Sequence, residues 1–518
     1  MNNTRKQPEW LDHAIFYEIY PQSFLDTNAD GIGDIPGIIE KLDYIRNLGC
    51  NALWINPCFQ SPFKDAGYDV EDYYTVAPRY GTNEDLVRLF SEAHKRDMHV
   101  LLDLVPGHTA ITHKWFQESM KAEKNEYTDR YVWTDSAWEE PEGMSSLKGI
   151  SDRNGACAVN FFSHQPALNY GYYNPDPDKK WQQPMDAKGP MATRNALKDI
   201  MRFWLSAGCD GFRVDMAGSL VKNDKDGKGT IALWQDIRTF LDAEFQDAAM
   251  ISEWGEPDKS LIGGFHMDFL LHFGPSHYND LFRCEHPYFK KDGKGSAKEF
   301  VAAYRTNYEK TDGKGLICIP SGNHDMERLA RYLDLDELKV AFAFLLSMPG
   351  APFIYYGDEI GMHYVEGLTS VEGGFQRTGS RSPMQWNKGL NAGFSSASKE
   401  KLYVPLDPHS DRPNVETQSE EPDSLLNEIK RLIQLRNQYP ALQNKGAIQF
   451  ISDDYPLIYR RFTDNQEILV VINPSDKETQ ISDVAGTLIY NIGPSATLCN
   501  NQLSVPGCSA VFVECNVQ

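Results

Sequence analysis

The chain has 518 residues, a formal net charge of −22, 41% apolar residues and 12% aromatic ones. That length exceeds one ordinary domain but suits an α/β barrel with additions. So acidic a chain argues against nucleic acid or an anionic membrane as partner and leaves a small neutral substrate compatible.

The nine cysteines show no CxxC or Cys/His zinc spacing. Cys50, Cys58, Cys209 and Cys318 lie in or beside apolar runs, where a free thiol behaves as a small hydrophobe. The opening MNNTRKQPEW lacks an apolar signal core, and no apolar run approaches the roughly 20 residues that span a bilayer. These features predict a reduced, cytoplasmic protein, a monomer or small homo-oligomer.

In chain order, apolar runs suited to buried parallel strands fall at 14–21, 51–57, 99–106, 211–216, 250–254, 266–273, 316–325 and 352–359. Helical patterns such as IPGIIEKLDYIRNLG and NEDLVRLFSEAHKRD separate them. Eight such units predict a (β/α)₈ barrel built from residues 1–106 and 186–440, with its working groups at the strands' C-terminal ends. Residues 107–185 show no clean repeat and predict a small domain inserted after the third strand. Residues 363–413, rich in Gly, Ser and Pro, predict a long ordered loop over the barrel mouth. From 441 to 518, ILVVINPS, GTLIYNI and SAVFVEC alternate with turn residues and predict an antiparallel β-sandwich domain.

Four stretches place polar chemistry at expected strand ends: DLVPGH (103–108), GFRVD (211–215), ISEWGEP (251–257) and PSGNHD (320–325). Asp215, Glu253 and Asp325 supply the three carboxylates that retaining glycoside cleavage needs: a nucleophile, a proton donor and a stabiliser of cationic charge. Alternation along a strand puts Arg213 and Asp215 on one face, where the guanidinium favours an ionised Asp215. Neighbouring carboxylates would raise Glu253.

These blocks, with DTNADGIGD (26–34), SPFKDAGYD (61–69), QPALN (165–169) and RSPMQW (381–386), resemble the α-amylase family, glycoside hydrolase family 13. Within it the chain is most similar to α-glucosidases and oligo-1,6-glucosidases, with trehalose synthases close by. The resemblance implies that Asp215 is the nucleophile, Glu253 the acid and base, and Asp325 the transition-state stabiliser. It further implies that Arg213 pairs with the nucleophile and that His108 and His324 bond sugar hydroxyls. Asp65 and Tyr68 would hold the terminal glucose, and Arg381 would complete that pocket. The loop residues Asp26, Asn28, Asp30, Ile32 (by its carbonyl) and Asp34 would hold a structural Ca²⁺, or Mg²⁺ in its place, although Asx turns alone would explain several of them.

Three positions depart from the family pattern: Gly107 for an Asn, Ala167 for an Asp, and Met216 after the nucleophile. The first two predict the loss of a second calcium; the third leaves the linkage preference open. The leading expectation is a retaining, exo-acting α-glucosidase on a small neutral α-glucoside, since a carboxylate at Asp65 would close the pocket behind the last ring. The alternative is a trehalose-synthase-like isomerase or transglucosidase, suggested by KLYVPLDPHSDRPNVETQ and FFSHQPALNY. An endo-acting amylase, which needs an open cleft, ranks lower. A non-catalytic transporter subunit is set aside, because the carboxylates are present and a membrane helix is not expected.

Overall fold

The computed structural model describes residues 7–373 and 376–516. The first six residues, part of the stretch read as lacking a signal core, lie outside them, as do 374–375 of the long loop. All eight expected runs form strands: β1 Phe16–Ile19, β2 Ala52–Ile55, β3 His99–Leu104, β4 Gly211–Val214, β5 Ala249–Ser252, β6 Met267–Phe269, β7 Leu316–Cys318 and β8 Phe353–Tyr355. They pair in parallel in the order β7-β6-β5-β4-β3-β2-β1-β8. A bridge from Pro320 to Phe353, with the Ser321 N–H on the Phe353 carbonyl at 2.9 Å, brings the chain past β7 back to β8 and nearly closes the barrel.

The strands are buried on both faces, which is why they read as continuous apolar runs rather than alternating ones. Inside the barrel, Phe353 stacks on Phe16 at 4.2 Å and meets Phe269 edge-on at 4.7 Å, with Trp54 next to Phe269 at 5.8 Å. This aromatic packing reaches the polar site through Trp54, whose indole N–H donates to Asp103.

The outer helices carry their start and stop signals locally. Helix α1 (Asn83–His94) begins in a capping box of Thr82 and Asp85 and buries Leu86, Leu89, Phe90 and Ala93 at three- and four-residue spacing. Helix α2 (Lys188–Ala207) ends at Gly208 in the left-handed conformation. Helix α3 (Leu335–Ser347) repeats the capping box with Asp334 and Glu337, and α4 (Leu425–Gln438) is capped by Ser424.

After β3, the segment holds a short helix (Lys114–Ser119) and a hairpin (Ser146–Lys148 with Ala156–Ala158), with bridges from His108 to Ala167 and Tyr131 to Leu168. Between β8 and α4 the chain makes mainly 3-10 turns and anchors on the barrel, with the Met384 N–H on Ser23 and the Trp386 indole on Phe24. The C-terminal part forms a five-stranded and a three-stranded antiparallel sheet, with Ile458, Leu469, Val471, Leu503, Val505, Val511 and Val513 clustered together. Among the described residues no helix is long and apolar enough to cross a membrane.

Gly211 opens β4, the strand that delivers Arg213 and Asp215. Its φ is +146°, and a Cβ there would lie 1.9 Å from the Ala249 carbonyl oxygen of β5. Gly211→Ala should therefore destabilise the protein by about 1–3 kcal/mol or more. A clear fall in the urea midpoint is expected; an unchanged midpoint would show that β4 and β5 can separate freely.

Candidate active site

Arg213 is the hub of the site. It is 1% exposed; its Nη1 donates to Asp103 Oδ1 at 2.9 Å and to Asp215 Oδ1 at 3.1 Å, while Nη2 lies 2.7 Å from Glu253 Oε2. The barrel register explains the meeting. Asp103 of β3 is the cross-strand partner of Arg213, and Val214 of β4 pairs with Ser252 of β5, so Asp215 and Glu253 leave adjacent strands at the same level. Strand neighbours lie about 4.8 Å apart, close to the spacing of about 5–5.5 Å at which retaining carboxylate pairs work. Glu253 Oε2 also accepts the Met216 N–H at 3.2 Å, and Met216 adopts a left-handed φ of 42° to provide it.

Arg213 lowers the Asp215 carboxyl, the direction that strand alternation implies, but burial and then the Glu253 charge outweigh it and push that carboxyl well above its usual range. One guanidinium is divided among three carboxylates, so it compensates none of them in full. Asp103 is itself raised to about 6, by burial first, despite Arg213, Trp54 and Tyr68.

Asp325 behaves in the opposite way. Burial would raise it, but His324, Arg377, Arg381 and Arg213 outweigh that and hold it well below the carboxylate range. The arginines carry this field at neutral pH, because burial keeps His324 uncharged. Arg377 Nη1 lies 2.6 Å from Asp325 Oδ1, and its Nη2 lies 2.5 Å from Asp65 Oδ1. Gln165 completes the Asp65 carboxylate from the other side at 2.7 Å. Arg381 donates to Asp325 Oδ1 at 2.9 Å and to the His324 carbonyl at 2.8 Å.

A cavity of about 250 Å³ collects these groups. Asp65, Tyr68, His108, Asp215, Met216, Glu253, Asp325 and Arg377 line it, together with Phe161, Phe162, His272 and Phe273. Of the nine expected catalytic and sugar-binding residues, Arg213, His324 and Arg381 are not in the lining and instead support residues that are. Tyr68 stacks on His324 with centroids 5.1 Å apart, and its hydroxyl donates to Asp103 at 2.9 Å. His324 Nδ1 lies 3.0 Å from Glu18 of β1, a carboxyl that burial pushes well up. His108 lines the cavity, but both ring nitrogens already have protein partners, the Tyr68 carbonyl at 3.0 Å and the Asn160 amide at 3.1 Å. Burial lowers it to about 4, so it stays neutral.

Asp65 sits in a turn of unusual backbone, with positive φ at Phe63, Ala66 and Gly67. The buried Asp69 carboxylate holds that turn by accepting the Lys64 and Asp65 N–H groups and the Ser61 hydroxyl at 3.0–3.1 Å. Glu18, Asp69, Asp103, Gln165 and Arg377 carry no assignment in the sequence reading. Asp69, Asp103 and Gln165 all lie inside motifs already recognised, and the register of β3 against β4 would have singled out Asp103. Arg377 had no such signal, because it lies in a loop without periodicity.

In the 26–34 loop, Asp26 accepts the N–H groups of Asn28, Ala29 and Gly31 and the Ser395 hydroxyl. Asp34 accepts from Thr27 and caps the following helix through the Gly37 N–H. Asn28 and Asp30 are exposed, and each uses one side-chain oxygen on the N–H two residues on. The all-oxygen donor set fits a hard cation in its chemistry. At the other departures, a Cβ on Gly107 would lie 2.7 Å from the Asn160 amide, and Ala167 is buried with Val132, Ala158, Tyr172 and Trp181.

A nearly closed parallel barrel with this carboxylate set at its strand ends defines an enzyme class, the barrel glycosidases. Residues 18–445 match the family described as alpha amylase, catalytic domain. A trehalose synthase/amylase from Mycobacterium tuberculosis is 32% identical over 500 residues, covering 87% of this chain and 79% of that one. An oligo-1,6-glucosidase from Parageobacillus thermoglucosidasius is 30% identical, covering 93% of each. The crystal structure of an isomaltulose synthase from Klebsiella sp. LX3 superposes with a TM-score of 0.80 at 28% identity, over 99% of this chain and 100% of that one. The chain belongs to the α-amylase family and is a glycoside hydrolase.

Asp103 offers a test of the shared guanidinium. Its charge raises Asp215 and competes for Arg213. Asp103→Asn removes both effects, so Asp215 should ionise at lower pH. The acid limb of kcat/KM for an aryl α-glucoside should then move to lower pH. A limb that stays in place or moves upward would separate Asp103 from the titration of the pair.

Proposed function

We propose that the enzyme is a retaining, exo-acting α-glucosidase on short gluco-oligosaccharides or disaccharides. The observation that carries this reading is the wall formed by Asp65, Arg377 and Asp325. One guanidinium ties two carboxylates together at the cavity, an arrangement that would hold the hydroxyls of a terminal glucose and close the pocket behind its ring.

In this mechanism an Asp215 oxygen attacks the anomeric carbon while the bond to the leaving oxygen breaks. Glu253, acting as the general acid, passes a proton to that oxygen. Asp325, kept anionic by Arg377 and Arg381, accepts sugar hydroxyls and stabilises the cationic transition state. Glu253 then takes a proton from water, which attacks the same carbon and releases Asp215, so that configuration is retained. Met216, beside the scissile bond through its contact with Glu253, is a position where linkage preference would be set.

A second reading, isomerisation or transglycosylation, is supported by the likeness to proteins named as trehalose and isomaltulose synthases. Phe161, Phe162 and Phe273 at the cavity would slow the entry of water and favour a sugar as acceptor. Incubation with maltose separates the two readings: glucose alone supports hydrolysis, and trehalose supports isomerisation. Mid-chain fragments as the first products from starch would overturn the closed pocket.

Two further outcomes are expected. Asp215→Asn should abolish turnover in a folded protein, whereas Glu253→Gln should spare activated aryl glucosides more than maltose in the glycosylation step, because a good leaving group departs with little protonation. Equal losses of that step on both substrates would remove Glu253 as the acid. We also propose that Asp26, Asn28, Asp30, the Ile32 carbonyl and Asp34 hold a Ca²⁺ or Mg²⁺ that braces the loop against the segment around Ser395. Chelation should then lower the melting temperature. Metal-free purified protein with no chelator effect would overturn this site.

A further inference from the structure

We infer that His363, Asp407 and His409 form a site for a divalent transition metal, at the root of the loop that carries Arg377 and Arg381. His363 lies just beyond the turn that follows β8; Asp407 and His409 lie at the far end of the long loop. One donor atom from each of the three residues falls within 4.8 Å of the others. Asp407 is 1% exposed and stands between the imidazoles, with His363 Nδ1 2.9 Å from Oδ2 and His409 Nδ1 2.6 Å from Oδ1. The His409 N–H adds a bond to Oδ1 at 3.0 Å, which fixes the carboxylate.

Two imidazoles and one carboxylate form the donor set of open zinc sites, with a fourth position left for water. A tetrahedral ion about 2.0–2.1 Å from each ligand would place the ligand atoms about 3.3 Å apart. Opening the present contacts by several tenths of an ångström would let an ion replace the two ring protons. His363 is half-buried and His409 exposed, so the cluster is open to solvent on one side. Imidazole donors also distinguish this site from the all-oxygen loop at 26–34, which would suit a different ion. A metal here would tie together the two ends of the segment whose arginines hold Asp65 and Asp325.

The test uses tag-free, full-length enzyme in the presence of Ca²⁺, titrated with Co²⁺ as the spectroscopic probe. One equivalent should give the visible absorption band of a nitrogen- and oxygen-ligated cobalt ion and raise the melting temperature. Zn²⁺ should displace the band. Lowering the pH should weaken binding, since both imidazoles must be unprotonated to ligate. His409→Ala, a change at an exposed ring, should lose the band and the melting shift while keeping wild-type melting without cobalt and wild-type glycosidase activity; His363→Ala should lose the same two signals. No band at one equivalent overturns the site. A band of equal strength in His409→Ala places the cobalt elsewhere and overturns it equally.

Discussion

The site depends on one buried guanidinium that faces three carboxylates. Arg213 cannot neutralise Asp103, Asp215 and Glu253 together, so the cluster must share protons or remain negative in a region with little solvent. This deficit suits a two-carboxylate mechanism, in which one group attacks while the other delivers a proton. Removing Arg213 from this cluster would be costly, because three carboxylates would lose their shared cation without regaining water. The aromatic packing of Trp54, Phe269 and Phe353 ties this cluster to the core, since the Trp54 indole also donates to Asp103.

Around Arg213 the protein divides its acids by environment. Asp325 is surrounded by arginines and stays an anion, while Asp215 shares its cation and rises. The two differ because Arg377 and Arg381 come from the long loop after β8 and serve Asp325 without serving Asp215. The barrel thus supplies the buried pair Asp215–Glu253, and the loop supplies the arginines that hold Asp65 and Asp325.

The departures from the family pattern also have physical form. At Gly107 the Asn160 amide occupies the space of a side chain and bonds His108, so that histidine is oriented from within the protein. Ala167 presents a methyl group to an apolar cluster where a carboxylate would lack a partner. Met216 couples backbone conformation to chemistry, since its left-handed φ points an N–H at Glu253.

The eight strands, their order and the trio Asp215, Glu253 and Asp325 were legible in the chain, because buried parallel strands impose long apolar runs and barrel sites fall at strand ends. Alternation alone was enough to place Arg213 beside Asp215. How that arginine divides its charge was not legible: it depends on the register of β3 with β4 and of β4 with β5, which brings in Asp103 and Glu253 from other strands. Arg377 lay deeper still, in a loop whose path follows from anchors such as Met384 on Ser23 and Trp386 on Phe24, more than 350 residues apart in sequence. Local pattern determined which polar groups stand at the strand ends. Only the tertiary structure decided which of them line the cavity, which brace it from behind, and which share a cation, because those properties arise from distances between segments that the sequence does not bring together.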